Sequence, residues 1–161
     1  MGNELNSRDT ELLRATFEVA LNAAAAGNHP FGAILANQDG EILLEAENTV
    51  DTESDITGHA ETNLVRMLGR KWHATELQNF TMYASSEPCA MCSGAIHWGS
   101  IGRVVYGLSQ ARFYSIVGGL EEQLTFAFPC REVLARSDRT IEVVGPSLED
   151  EAARVHDGNW S

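Results

Sequence analysis

A pair of cysteines follows a proline in the stretch E-P-C-A-M-C, and this motif limits the folds open to the chain more than any other feature. Cys89 and Cys92 have the spacing of a redox pair, of half a structural metal clip, or of part of a catalytic metal site. The chain has 3 cysteines, an odd count that fits a reducing compartment better than a disulfide framework. The choice between these three sites depends on which other ligands the chain supplies.

A third ligand is expected from G-H-A-E-T, which opens a predicted helix after a polar loop. A catalytic zinc takes three protein ligands and keeps one position open for water. Cys89 and Cys92 lie in the first turn of another predicted helix, whose N-terminus favours thiolates. Two helix starts at one sheet edge can share an ion, so His59 is the leading candidate for the third ligand. Glu61 can reach a water on that ion and is expected to transfer protons as the acid–base group.

Two simpler interpretations compete with the catalytic metal site. A thioredoxin-like redox pair usually follows the first strand of a βαβ unit, whereas this pair comes late in the chain. A lone histidine at a helix start is more often a capping or surface residue than a ligand. That interpretation is kept for the other four histidines, which are His29, His73, His97 and His156.

Hydrophobic periodicity predicts an α/β fold with a mixed sheet in a single domain covering residues 1–161. Thr57 and Ser147 are expected to cap helices, and Pro88 is expected at the first position of a helix. Residues 109–135 are not assigned from sequence. The predicted elements are a helix over 8–26 ended by Gly27, a hairpin over 31–48, a helix over 59–68, strands over 80–85, 103–108 and 140–144, a helix after Pro88, and a C-terminal helix after Ser147.

The charge balance argues against a nucleic-acid partner. The formal net charge is −12, with 11 Lys+Arg against 23 Asp+Glu, and the basic residues are scattered. Proteins that bind phosphate backbones need clustered basic residues. The sequence shows neither a long apolar segment nor a signal pattern, so a cytoplasmic protein with no membrane partner is expected.

The two motifs together, H-A-E and P-C-A-M-C, match the zinc-deaminase signature H-x-E … P-C-x-x-C. The chain therefore resembles the cytidine and deoxycytidylate deaminase superfamily. It is most similar to the branch of bacterial guanine deaminase, yeast-type cytosine deaminase and tRNA adenosine deaminases. The resemblance spans about Arg8–Leu108 and includes H-P-F-G-A and A-E-N. It implies a three-layer α/β/α fold with a central mixed five-stranded sheet, one zinc ion per chain and a homodimer.

The resemblance also implies how a flat ring is bound. Asn48 would bond the base edge, the backbone at Ala60 would face a ring oxygen, and carbonyls near Ser86 and Glu87 would orient the amino group. Phe31 and Trp98 are expected as apolar walls, with core packing as the alternative for both. A turn at a strand end is the alternative for Asn48.

The motifs P-F-G-A and A-I-x-W favour a guanine-like purine as the substrate, in a zinc-dependent deamination that releases ammonia. However, A-R-F-Y-S-I-V-G-G replaces the acidic segment that guanine deaminases use on their substrate, so Phe113 or Tyr114 is expected to close the pocket by stacking. The alternatives are a cytosine-type pyrimidine deaminase, a tRNA adenosine deaminase and a non-catalytic zinc-bearing scaffold.

Three further expectations concern the second half of the chain. Residues 109–124 are expected to enter a neighbouring subunit's site in the homodimer. Trp160 is expected either to cover the site as a lid or only to dock the tail. Cys130 is interpreted as a packing residue or an idle thiol.

Overall fold

The structure is a computed structural model that describes residues 4–118 and 124–160. Its elements in chain order are α1 Ser7–Ala25, β1 Gly32–Ala36, β2 Ile42–Glu47, α2 Ala60–Leu68, α3 Ala74–Leu77, β3 Thr81–Ser86, α4 Ala90–Trp98, β4 Arg103–Leu108, α5 Gln110–Val117, α6 Cys130–Leu134, β5 Glu142–Val144 and α7 Glu149–Arg154. Within these described ranges, no helix combines the length and the hydrophobicity needed to cross a membrane.

The strands form one five-stranded sheet in the order β2-β1-β3-β4-β5. β1 pairs antiparallel with β2 and β3, whereas β4 pairs parallel with β3 and β5. The sheet is mixed, as predicted. A parallel pair needs a crossover between its strands, and here α4 connects β3 to β4.

Helices cover both faces of the sheet because strand side chains alternate between two buried cores. Leu35 and Met82 pack on one face with Leu64 of α2. Ile34 packs on the other face with Leu13 of α1. These two cores confirm the predicted three-layer α/β/α arrangement.

Helix α1 is joined to the sheet by a buried charged group. Asp9 completes a capping box with Asn6 at the start of the helix. The carboxylate also accepts two hydrogen bonds from Arg103 of β4, at 2.7 and 2.8 Å, and one from the Tyr83 hydroxyl of β3 at 2.8 Å. The buried carboxylate is therefore fully paired across three elements.

Several predicted helix starts are displaced. Thr57 does not cap α2, because its hydroxyl donates to Asp55 while His59 occupies the N-cap. Pro88 lies before the cap of α4, which is Cys89. Ser147 does not cap α7, whose N-cap is Leu148 in a left-handed conformation. The first two shifts place predicted metal ligands at the N-caps themselves.

The segment left unassigned from sequence contains two short helices, α5 and α6. Ser109 caps α5, since its hydroxyl accepts a hydrogen bond from the Arg112 N–H at 3.2 Å. Residues 119–123, which include Gly119 of the G-G pair, lie outside the described part of the chain.

Candidate active site

Two helix N-termini bring the predicted ligands together at one edge of the sheet. His59 is the N-cap of α2, Cys89 is the N-cap of α4, and Cys92 lies in the first turn of α4. Both helices pack on the same face of the sheet, so their starts are adjacent. The positive ends of the helix dipoles stabilise negative charge on the sulfurs.

The ligand geometry suits a tetrahedral metal ion. The Nδ1 atom of His59 lies 3.6 Å from the Sγ of Cys89 and 3.6 Å from the Sγ of Cys92. Zinc bonds of about 2.3 Å to sulfur and about 2.0–2.1 Å to nitrogen place those atoms about 3.6 Å apart in a tetrahedral site. All three ligand atoms lie within 4.8 Å of one another. The donor set and its spacing therefore fit zinc.

Hydrogen bonds within the cluster shift the pKa values of its two thiols and its imidazole. The pKa of Cys89 is lowered to about 4, mainly because the Cys92 thiol donates to it, with a further contribution from His59 and against the opposing effect of burial. The same hydrogen bond raises the pKa of Cys92. The bond to Cys89 raises the pKa of His59. A divalent cation favours the deprotonated form of all three groups, so metal binding displaces the shared protons.

Glu61 lies beside the ligands in the first turn of α2 and is buried. Burial raises the pKa of its carboxyl group, although a hydrogen bond from Cys92 and the charge of His59 oppose this effect. A carboxyl group whose pKa is moved towards neutrality exchanges protons more readily at working pH. The position and environment of Glu61 thus suit a proton-transfer group.

Two polar residues that sequence reasoning missed support the ligands. The Thr62 hydroxyl lies 3.2 Å from the Sγ of Cys92. The amide of Asn63 donates to the Thr49 hydroxyl at 2.9 Å and to the Gly58 carbonyl at 3.2 Å, which holds the loop before α2. Their only signal in the sequence is that they directly follow H-A-E.

A cavity of about 390 Å³ opens beside the ligand cluster. It is lined by residues from both halves of the chain, namely His29, Phe31, Asn48, Val50, Ile56, His59, Glu61, Ser86, Glu87, Cys89, Leu108, Gln110, Phe113, Tyr114, Leu124 and Trp160. This volume lies within the usual range for a small-molecule site.

An aromatic cluster forms one wall of the cavity. The ring of Phe31 lies 5.4 Å from that of Phe113, and Phe113 lies 5.6 Å from Trp160. The indole N–H of Trp160 donates to Nδ1 of His156 at 2.9 Å. The structure thus brings Trp160 to the cavity and does not leave it free. Residues 156–160 are called the C-terminal segment below, and both alternatives for Trp160, a lid over the site and a docked tail, stay predictions.

Asn48 is buried at the cavity wall, and its orientation follows from its hydrogen bond. Its Oδ1 accepts from the backbone N–H of Val50 at 3.1 Å. The amide nitrogen is therefore left to donate to a ligand. This fits the predicted contact with an acceptor on a base, and the bond to Val50 also fits the turn alternative.

The carboxylate of Glu87 holds the starts of α5 and α6. It accepts from the backbone N–H of Gln110 at 2.8 Å and from that of Cys130 at 2.9 Å, at the starts of α5 and α6. Only its backbone carbonyl remains as a candidate substrate contact.

Cys130 is buried, and burial raises the pKa of its thiol, as expected for an unreactive packing residue.

Trp98 does not form a wall of the cavity, so this prediction is wrong. It lies nine positions after Cys89, at the other end of α4, and is 82% exposed. At about 1.5 Å per residue, the helix separates the two ends by about 13 Å. Ala60, at the first position of α2, is fully buried and lies outside the cavity lining, so its predicted backbone contact with a ring oxygen stays a prediction.

The described part of residues 109–124 reaches the cavity of its own chain, and its entry into a neighbouring subunit's site stays a prediction. Phe113, Tyr114 and Leu124 line the cavity of their own chain. The reason is that α5 begins directly after β4, beside the motif that carries the ligands. The two aromatic residues therefore line this chain's own cavity.

A mixed sheet between two helical layers, with the His-Cys-Cys cluster at two helix N-termini, defines a deaminase-type α/β domain. Residues 6–108 match the family described as "Cytidine and deoxycytidylate deaminase zinc-binding region", and the chain belongs to this family. This finding confirms the predicted superfamily and the zinc cofactor at the level of the family.

Known relatives span several substrates. The chain is 38% identical over 157 residues to a probable cytosine deaminase of Schizosaccharomyces pombe, covering 98% of this chain and 95% of that protein. It is 37% identical over 100 residues to guanine deaminase of Bacillus subtilis, covering 62% of this chain and 64% of that protein. tRNA-specific adenosine deaminases also match.

A solved structure shows the same fold. The structure of guanine deaminase from Nitrosomonas europaea superposes with a TM-score of 0.72 at 20% identity, covering 98% of this chain and 88% of that one. The class of reaction is thus a deamination, and the comparisons point to more than one substrate.

Proposed function

We propose that this chain catalyses the hydrolytic deamination of a free aminated nucleobase or a closely related heterocycle. The observation that carries the proposal is the placement of Glu61 beside the His59, Cys89 and Cys92 cluster, at the wall of a cavity with an aromatic side. The reaction adds water to the ring carbon that bears the amino group. The carbon–nitrogen bond then breaks, ammonia leaves and a ring carbonyl remains.

Each residue has a defined task in this scheme. His59, Cys89 and Cys92 hold the zinc ion, which supplies an activated water at neutral pH when bound. Glu61 takes one proton from the water and delivers it to the ring nitrogen. It then takes the proton of the hydroxyl group added to the ring carbon and delivers it to the departing amine, so that ammonia leaves and the carbonyl forms. Asn48 donates to an acceptor on the base, and the aromatic wall stacks on the ring and excludes bulk water.

Substitution of Glu61 by Gln tests this assignment. We expect the variant to keep its zinc, because Glu61 is not among the ligands, and to lose about 10²–10⁴-fold in turnover. Metal analysis and an ammonia-release assay measure the two quantities separately. Glu11→Gln on the exposed face of α1 is the matched control. Substantial residual turnover in Glu61→Gln would refute the proton-transfer role.

Two base classes are candidates for the substrate. The near full-length similarity to a probable cytosine deaminase favours a pyrimidine. The motifs P-F-G-A and A-I-x-W favour a guanine-like purine. Ammonia release from cytosine, guanine, adenine and their nucleosides decides between them.

Two other functions are disfavoured by specific features. A tRNA substrate needs a basic surface, and the net charge of −12 and the position of Trp160 at the cavity oppose it. A zinc-bearing scaffold has no use for a buried carboxyl group beside the ligands. Activity on a tRNA hairpin alone, or no ammonia from any substrate of zinc-loaded protein, would establish these alternatives.

We further propose that residues 1–161 act as one domain within a homodimer. Both cores share one sheet, which supports a single unit. Met91 and Trp98 lie two turns apart on one face of α4 and are exposed, which supports pairing of two copies there. Sedimentation velocity at assay concentration measures the oligomeric state.

The cysteines Cys89, Cys92 and Cys130 form no disulfide bond with one another, which supports a cytoplasmic location.

A further inference from the structure

One buried hydroxyl group in the cavity wall has no hydrogen-bond partner. Ser86 is the last residue of β3 and only 5% exposed. Its Oγ is the single buried side-chain polar atom without a partner in residues 4–118 and 124–160. The preceding Ser85 differs, because its Oγ accepts the Gly32 N–H at 3.1 Å. A buried polar group without a partner destabilises a fold, so its retention needs a reason.

The position of Ser86 connects this hydroxyl to the substrate cavity. Ser86 pairs in register with Leu108 of β4, and both residues line the cavity. It also stands three residues before the ligand Cys89. Ser86 therefore stands in the cavity wall at the same end of the sheet as the metal ligands, and its buried oxygen lies within that wall.

The neighbouring polar side chains in the cavity wall already make hydrogen bonds with the backbone. The Gln110 amide nitrogen donates to the carbonyls of Pro88 and Phe128, and its oxygen accepts the Phe128 N–H. The carboxylate of Glu87 accepts two backbone N–H groups. These side chains cannot turn to Ser86 without losing bonds of their own. A ligand that enters the cavity would supply a partner without breaking these bonds.

We infer that the Ser86 hydroxyl hydrogen-bonds the substrate ring and helps to select the base, an inference that rests on the proposed deaminase function. A hydroxyl group both donates and accepts, whereas the Asn48 amide nitrogen only donates. The site then takes a heterocycle with an acceptor facing Asn48 and a second polar atom facing Ser86. Sites built to bond a polar atom reject analogues that lack it.

The test compares Ser86→Ala with wild type and with the matched control Ser85→Ala. In Ser86→Ala we expect kcat/KM on the better of cytosine and guanine to fall about 3- to 10-fold, which is the usual effect of one lost hydrogen bond. The ratio of kcat/KM between the two bases should change as well. The melting temperature of the ligand-free variant should stay equal or rise, because an unpaired buried group has been removed, and its zinc content should stay unchanged.

The control is expected to respond in the opposite way. Ser85→Ala removes a hydroxyl that the backbone uses, so its melting temperature should fall while the ratio between the bases stays constant. For Ser86→Ala, an unchanged kcat/KM on both bases would overturn the inference. A lowered melting temperature would also overturn it, since a bound water or another structural partner would then explain the hydroxyl. Failure of the wild-type enzyme to deaminate either base would instead count against the proposed function.

Discussion

His156 is a buried titratable group whose effect on stability can be worked out from its surroundings. It is 3% exposed, and its ring lies 5.4 Å from Phe31 and 5.3 Å from Phe113. Its Nδ1 accepts the indole N–H of Trp160, which requires that nitrogen to be unprotonated. Burial lowers the pKa of His156 to about 4, although the neighbouring charge of Asp157 opposes this effect.

The lowered pKa makes stability depend on pH in a defined window. Between about pH 6.5 and about pH 4 the unfolded chain binds a proton at His156 and the folded protein does not. The free energy of unfolding therefore falls as the pH falls through this window, and the loss is complete below about pH 4. A pKa that moves from 6.5 to about 4 corresponds to about 3 kcal/mol, at about 1.4 kcal/mol per pH unit.

His156→Phe removes the titration and keeps an aromatic ring in the wall. We expect the free energy of unfolding, measured by urea denaturation, to fall less steeply with acidification in this variant than in wild type. The difference in slope should approach about 1.4 kcal/mol per pH unit near pH 5. Zinc ligands also titrate, but they contribute equally to both proteins and cancel in the difference.

Ile42→Ala on the exposed side of β2 supplies the control. It changes no titratable group and should therefore leave the wild-type slope unchanged. Parallel curves for wild type and His156→Phe from pH 7 to pH 4 would refute the reasoning. In that case His156 would be either solvated or already protonated in the folded protein, and the docking of the C-terminal segment would not depend on its neutral form.

Two further predictions concern residues that hold the elements around the site. Asp9→Ala should lower the free energy of unfolding by about 3–5 kcal/mol in chemical denaturation, because it leaves Arg103 without its buried partner. Burial raises the pKa of Asp9, but the bonds from Arg103 and Tyr83 outweigh it and lower the pKa overall, so this stabilisation should be present above pH 3.8 and lost in more acidic solution. Glu87→Gln should reduce kcat/KM about tenfold with zinc retained, because the backbone N–H group of either Gln110 or Cys130 loses its acceptor. Metal analysis and an ammonia-release assay measure the two quantities, and an unchanged kcat/KM would contradict this prediction.

The parts of the fold that the sequence predicts are those with local signals. The sheet strands and α1 follow from periodicity, and the ligand cluster follows from two short motifs at helix starts. Helix α6 lacks such a signal, because its first N–H group is satisfied by Glu87, 43 residues earlier in the chain. Helix α5 has a local cap in Ser109, but its first N–H group also depends on Glu87, 23 residues earlier. The prediction that Trp98 forms a cavity wall is wrong because the motif does not indicate which end of α4 lies at the cavity.

The boundary of the family match explains why the reaction could be predicted and the substrate could not. The match ends at residue 108, and the metal ligands and Glu61 all lie before that point. Phe113, Tyr114 and Trp160, which line the cavity, lie after it. The chemistry thus depends on the shared part of the chain, whereas the shape that selects a ring depends largely on the part that the family does not constrain. Ser86 stands on the shared side of this boundary, so a change in base preference at Ser86 would show that the shared part also takes part in selection.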